Sequence, residues 1–118
     1  METVFGTYIR KQREALRESD RKYSLRQVAI RIGIEPSLLS RIERGEPGSL
    51  SEKRIIDLAK DLGEDADVLL ALSGKVSSDI QEVIRKRPQL FAQLIRDLKN
   101  LPNHAVLRIV REVRDGKW

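Results

Sequence analysis

The chain has 118 residues, of which 40% are apolar, 35% are charged and only 4% are aromatic. This length suits one compact domain with a modest core, and the abundance of Leu, Ala, Glu, Lys and Arg favours helices. Cysteine is absent, which excludes disulfides and thiolate metal sites, and no apolar run reaches the ~18 residues of a membrane-spanning helix.

Positive charge is concentrated in the first half of the chain. The formal net charge is +5, with 13 Lys and Arg against 9 Asp and Glu in residues 1–60, and 10 against 9 in residues 61–118. Polyanions such as nucleic acids are the natural partners of such a surface, although a solvated basic face gives the same composition. The N-terminus lacks an apolar signal-peptide core, so we expect a cytoplasmic protein.

Apolar spacing and capping residues predict five short helices in the first part of the chain. Phe5 and Ile9 begin an apolar stripe at helical spacing. Ser24 is suited to cap the second helix and Gly33 to end it, and a similar pair of signals brackets the fourth. The polar stretch "SDRKY" is predicted to be a loop. The predicted helices cover residues 4–18, 25–32, 36–44, 52–62 and 66–72.

Three further amphipathic helices are predicted toward the C-terminus. Ser77 or Ser78 is suited to cap the first of them, Pro88 to open the second, and Pro102 with Asn103 to start the third. No pair of strands, repeat or low-complexity tract is evident, so the fold class is all-α. The predicted helices cover residues 79–87, 88–101 and 104–116.

In the stretch "RQVAIRIGIEPSLLSRIERG", residues 26–45, Gly33 and Pro36 interrupt an apolar pattern that otherwise has the spacing of one amphipathic helix. Gly33 ends one helix and Pro36 opens the next, so a turn of about three or four residues joins them, and the small Ala29 permits a close crossing. A helical hairpin without further role is the alternative to a helix-turn-helix. The second helix can enter the major groove of DNA, because it keeps a polar, basic face outside. That face contains Ser37, Ser40, Arg41 and Arg44.

Three segments carry a resemblance to a known family: "IRKQRE", "SLRQVAIRIGIEPSLLSRIERG" and "IIDLAKDLGEDADVLLAL". Over residues 5–72 the chain resembles the Cro/C1-type (XRE-like) helix-turn-helix domain of phage repressors and their bacterial relatives. The resemblance implies a five-helix lambda-repressor-like DNA-binding domain, residues 1–74, and leaves a C-terminal helical extension of about three helices, residues 75–118. It implies a transcriptional regulator, most often a repressor, that reads double-stranded DNA without a cofactor.

The same resemblance implies roles for residues of the second and third helices. Pro36, Ser37 and Arg41 occupy base-reading positions, and Leu38 can touch a thymine methyl group. Arg41 is the strongest candidate, because arginine donates two hydrogen bonds to guanine, which discriminates bases by about 1–3 kcal/mol. The residues at phosphate-binding positions are Ser24, Gln27, Ser40, Arg44 and Lys53.

Family members also pair an arginine of the first helix with the glutamate of "RIERG". Here these residues are Arg13 and Glu43, so the resemblance implies a partly buried, structural ion pair. The sequence departs from the family where Leu25 and Pro36 replace glutamines that commonly begin the second and third helices. With fewer donors for direct readout, we expect DNA shape to contribute more.

The C-terminal extension is rich in Leu, Ile and Val for its length. It can pack onto the first five helices within a monomer, but readers of two DNA half-sites usually match the two-fold symmetry of their site. We therefore expect a homodimer, in which the terminal Trp118 either contacts the partner or is free. The predicted interface comprises Phe91, Leu94, Ile95, Leu98, Val106, Ile109, Val110 and Val113.

Other functions fit the sequence less well. No phosphate-binding loop, nucleophile elbow or metal-ligand set is evident, and the single histidine, His104, is expected to be exposed, so we expect neither an enzyme nor a metal site. An antitoxin, whose C-terminal helices bind a toxin or another protein, would share the same DNA-binding fold. A protein-interaction module that has lost DNA binding is the third alternative, and the retained Arg41 and Arg44 argue against it.

Overall fold

The computed structural model describes residues 4–117, and Trp118 lies outside the described residues. Within this range the chain forms eight α-helices, one short 3-10 helix and no strand. None of these helices is long and apolar enough to cross a membrane. The α-helices are α1 (Val4–Arg17), α2 (Leu25–Ile32), α3 (Pro36–Glu43), α4 (Glu52–Leu62), α5 (Ala66–Leu72), α6 (Ser78–Lys86), α7 (Pro88–Leu98) and α8 (Asn103–Asp115).

The chain divides after Ser77 into two compact units, the first containing α1–α5 and the second α6–α8. In the first unit, α4 packs against α2 and α5, and α1 packs against α3, α4 and α5. The side chains that face inward form a single apolar core, which holds these five helices together. The buried core residues are Ile9, Val28, Ala29, Ile32, Leu39, Ile42, Leu50, Ile55, Leu58, Ala59, Leu62, Leu69 and Leu70.

Local signals fix the ends of α2. The Ser24 hydroxyl accepts a hydrogen bond from the Gln27 amide at 3.3 Å, which satisfies one of the free donors at the helix N-terminus. At the other end Gly33 has φ +78°, and the amides of Gly33 and Ile34 donate to the carbonyls of Ile30 and Ala29. This is a Schellman motif, which glycine adopts without steric cost.

The predicted helix ends lie within one residue of the structure except at α7, and one segment predicted as a loop also differs. The stretch predicted as a loop after α1 contains a 3-10 helix, Arg21–Tyr23, because the Asp20 carboxylate caps it by accepting a bond from the Lys22 amide. Helix α7 ends at Leu98, three residues earlier than predicted. The Leu101 amide bonds to the Leu98 carbonyl in a tight turn, and the following proline cannot continue a helix.

In the second unit no described residue is fully buried. Each of α6, α7 and α8 is amphipathic, yet none contains a buried residue. Helices α6 and α7 contact each other. Large aliphatic side chains of this unit therefore remain exposed, including Leu90, Ile95, Leu107 and Val113, with exposed fractions of 69%, 59%, 52% and 64%.

Candidate nucleic-acid interface

Helix α3 lies across α2 and is held at both ends. Pro36 begins it with Glu35 in an extended conformation, as proline requires of the preceding residue. Ala29 of α2 is fully buried, and α2 and α3 pack against each other. At the C-terminal end, Gly45 has φ +79°, and the amides of Gly45 and Glu46 donate to the carbonyls of Ile42 and Arg41. This second Schellman motif fixes the direction of the chain after α3.

A buried ion pair ties α1 to the C-terminal end of α3. The Arg13 guanidinium donates from Nε and Nη2 to the two carboxylate oxygens of Glu43, both at 2.8 Å. Its Nη1 donates to the carbonyl of Tyr23 at 3.1 Å. Both side chains are about 95% buried, and the bond to Glu43 raises the pKa of Arg13 above its ordinary value. The structure thus brings Arg13 and Glu43 together, and their geometry is the bidentate arrangement that favours Arg over Lys.

The opposite face of α3 points to solvent. Ser37 and Arg41 are exposed, and within residues 4–117 Arg41 forms no hydrogen bond or ion pair. Leu38 is half-buried and packs on the edge of the core, where its Cδ1 would lie 3.1 Å from a Cβ added to Gly48. Of the residues expected to read bases, Arg41 and Ser37 are therefore exposed to solvent, whereas Leu38 is partly buried against the core.

The residues at the expected phosphate positions differ in what they contact. Ser24 and Gln27 meet at the N-terminus of α2, where the hydroxyl oxygen of Ser24 accepts from the Gln27 amide and the Gln27 side chain is exposed. Ser40 is half-buried on α3. Arg44 and Lys53 are exposed, but each is bound to a carboxylate of the same chain.

The carboxylates that hold these two cations are Glu46 and Asp57. Arg44 Nε lies 2.6 Å from Glu46 Oε2, and Arg44 Nη1 donates to the Ser40 hydroxyl. Lys53 Nζ lies 2.8 Å from Asp57 Oδ2, one turn along α4. The two cations hold the pKa values of Glu46 and Asp57 below their ordinary range through these hydrogen bonds.

Sequence reasoning did not predict these carboxylates, nor the contacts of two further arginines, Arg31 and Arg54. Arg31 donates to Asp61 at 2.7 and 3.0 Å and lies over the Tyr23 ring, 5.3 Å from its centre. Arg54 Nη1 donates to the Ile32 carbonyl at 2.8 Å, and so caps the end of α2 from α4. Lys53 and Asp57 are four residues apart, a spacing that predicts an ion pair on a helix. The other contacts join residues 22 or 30 positions apart, or cross a turn, and lack such a signal.

The fold and this surface together define a helix-turn-helix protein, with α2 and α3 as the motif. A family model described as "Helix-turn-helix domain" matches residues 4–72, and the chain belongs to this family. The helix-turn-helix prediction is thereby confirmed. No curated protein and no solved structure matches the chain. Within residues 4–117 no group of three His, Cys, Asp or Glu residues is arranged to hold a metal ion.

Proposed function

We propose that this protein is a sequence-specific, double-stranded DNA-binding regulator of the Cro/C1-type (XRE-like) class. Residues 1–74 form the DNA-binding domain, with α3 in the major groove. The observation that carries the proposal is the state of Arg41, which is exposed in the last turn of α3 and forms no hydrogen bond or ion pair in the described chain. An exposed arginine on a rigid helix is well suited to bind guanine through two hydrogen bonds.

The proposed base contacts are made by Arg41, Ser37 and Leu38. The phosphate contacts, which position the protein without reading sequence, come from Ser24, Gln27, Ser40, Arg44 and Lys53. For Arg44 and Lys53 this requires a phosphate oxygen to replace the carboxylate that each side chain now contacts. The mechanism of regulation is steric, in which the bound protein covers a promoter and acts as a repressor.

The proposal extends to a homodimer formed by residues 75–118. The support is the exposed aliphatic surface of α6–α8, since helices in which no described apolar side chain is fully buried can complete that burial against a second copy. The interface residues are those named from sequence, of which Leu94, Ile95, Val110 and Val113 have exposed fractions of 45%, 59%, 48% and 64%. A two-fold symmetric dimer would read an inverted repeat.

The same exposed helices support a second candidate function, that of an antitoxin-type regulator. In that case a different protein covers α6–α8, and the DNA-binding unit is unchanged. The purified protein distinguishes the two, because a homodimer forms without any partner whereas an antitoxin surface requires one.

The experiment that tests DNA reading is selection of binding sites from a random duplex pool at fixed, physiological salt. Wild type, Arg41→Ala and Arg17→Ala would be compared, the last being an exposed arginine outside the proposed interface. We expect wild type and Arg17→Ala to enrich the same inverted repeat, and Arg41→Ala to lose preference at one base of each half-site. If wild type enriches no motif, sequence-specific reading is wrong.

A further inference from the structure

The two arginines on the exposed side of α3 are in different states. Arg41 has no partner in the described chain, whereas Arg44 is bound by the Glu46 carboxylate and the Ser40 hydroxyl. The residues are three positions apart, so their side chains leave the same side of the helix. The side of α3 proposed to face DNA therefore carries Arg41, which forms no ion pair, next to Arg44, whose charge is paired with that of Glu46.

The backbone turn that ends α3 sets the position of Glu46. The Glu46 amide donates to the Arg41 carbonyl at 2.9 Å, the longer-range bond of the Schellman motif that ends α3. Because Gly45 occupies the left-handed conformation, the chain turns back at this point and the carboxylate meets Arg44. The charge of Arg41 also acts on this carboxylate and lowers its pKa in the same direction as Arg44 does.

This ion pair contributes little to folding, since its two side chains are about half exposed, at 50% and 48%. The ion pair instead affects how readily Arg44 can bind a phosphate. Carboxylate and phosphate oxygens accept from the same guanidinium donors, so they compete for Arg44. A phosphate that approaches Arg44 also meets the negative charge of Glu46.

We propose that Glu46 limits the affinity of this protein for DNA of arbitrary sequence, by occupying Arg44 until a phosphate replaces it. The proposal rests on the DNA-binding function proposed above. Non-specific binding comes almost entirely from cations that contact phosphates, so neutralising one cation lowers it. Arg41 interacts with Glu46 through charge alone and more weakly than Arg44 does, so its base contacts depend less on this exchange and Glu46 acts as a specificity-determining residue.

The Lys53–Asp57 pair is of the same kind but is less suited to a test. Asp57 also lies 3.8 Å from Arg54, which caps α2 through the Ile32 carbonyl. A change at Asp57 would disturb the packing of α2 as well as the charge of Lys53. Glu46 has no such second structural role among the described contacts of its side chain, so its substitution reports on charge.

The test measures the affinity of the full chain for a fluorescent duplex of random sequence, from about 50 to about 200 mM salt. The variants are Glu46→Gln, Arg44→Gln and the double substitution, with Glu112→Gln as a control for net charge. Glu112 is an exposed carboxylate on α8. Thermal melting by circular dichroism checks that each variant is folded.

We expect Glu46→Gln to bind the random duplex about fivefold more tightly at low salt, the effect of one charge close to a phosphate. Its salt dependence should steepen by up to about one unit of slope. Glu112→Gln should change affinity much less. In the Arg44→Gln background, Glu46→Gln should lose most of its effect, since only the direct repulsion between the carboxylate and a phosphate remains.

Two results would overturn the proposal while leaving DNA binding intact. In the first, wild type binds the duplex and Glu46→Gln matches Glu112→Gln. In the second, Glu46→Gln strengthens binding equally with and without Arg44. If wild type binds no duplex even at low salt, the proposed function itself fails, and this proposal fails with it.

Discussion

Arg13 and Glu43 connect α1 to α3 through two parallel 2.8 Å hydrogen bonds in the protein interior. The third bond of Arg13 reaches the Tyr23 carbonyl, just before α2 begins. The Arg13 guanidinium therefore links α1, to which it belongs, both to α3 and to the segment just before α2. Among the described residues, no buried side-chain nitrogen or oxygen lacks a hydrogen-bond partner, so the charges of this pair are fully satisfied.

Removing one member of this pair should be strongly destabilising. Arg13→Ala leaves the Glu43 carboxylate buried without a counter-charge, and we expect the free energy of unfolding to fall by about 3–5 kcal/mol. Urea denaturation followed by circular dichroism measures this loss. Replacing both residues together, as in Arg13→Met with Glu43→Leu, should cost clearly less, because no charge is stranded. A double variant as unstable as Arg13→Ala would contradict this account.

Gly6 of α1 packs directly against the backbone of α3. A Cβ added at this position would lie 2.0 Å from the Ile42 carbonyl oxygen, which belongs to the backbone and cannot rotate away. Alanine usually stabilises a helix relative to glycine by about 0.5–1 kcal/mol. Here we expect the opposite sign, with Gly6→Ala lowering the free energy of unfolding by about 1–3 kcal/mol or more through overpacking. Thr7→Ala, at an exposed neighbouring position, is the matched control, and equal stability of the two variants would argue against this close contact.

Tyr8 should titrate above its ordinary value. Its hydroxyl donates to Glu64 Oε1 at 2.5 Å, and this hydrogen bond to a carboxylate raises the pKa of Tyr8 above 10.0. Because the folded-state pKa is raised, the contact stabilises the fold at pH values below 10.0, and this stabilisation is lost as the pH rises through the folded-state pKa.

Near-ultraviolet absorbance in a Tyr23→Phe background follows Tyr8 alone, since the chain has two tyrosines. Adding Glu64→Gln should lower the midpoint of that titration. An unchanged midpoint would show that the carboxylate is not its cause.

The C-terminal helices should hold two copies of the chain together. We expect light scattering to give the mass of a dimer at tens of micromolar protein, and Val110→Asp to give a monomer, because a buried unpaired charge opposes association. Ile30→Asp places the same charge at an aliphatic residue of α2 that is 60% exposed, and it should remain dimeric. A monomeric wild type would refute the dimer, and loss of the dimer only in Ile30→Asp would move the interface to the first unit.

The helix boundaries were largely predictable because their determinants are local. Gly33 and Gly45 end their helices through hydrogen bonds to residues at most five positions away, and such signals are visible in any short window of sequence. The end of α7 was predicted too late, since apolar periodicity continues to Leu101 although the backbone has already turned. Local patterns therefore define the elements better than their exact ends.

The ion pairs and close contacts between distant residues were less predictable. The Arg13–Glu43 pair entered through a family resemblance and not through spacing, because it joins residues 30 positions apart. The Arg44–Glu46 pair depends on the turn that Gly45 makes, so the charges of "RIERGE" do not reveal which cation stays free. The contact of Gly6 with the Ile42 carbonyl depends on how closely two helices cross, and a glycine inside a helix gives no measure of that distance.

The anchoring of α3 also bears on the heat-capacity change expected when the protein binds DNA. A helix of eight residues would not keep its shape alone in water, yet α3 is fixed by a Schellman turn, a buried ion pair and the burial of Leu39 and Ile42 in the core. Its exposed side is thus assembled before any ligand arrives. Binding should require little ordering of this unit, so its heat-capacity change should reflect the contacting surfaces and any bending of the duplex, without the contribution of coupled folding.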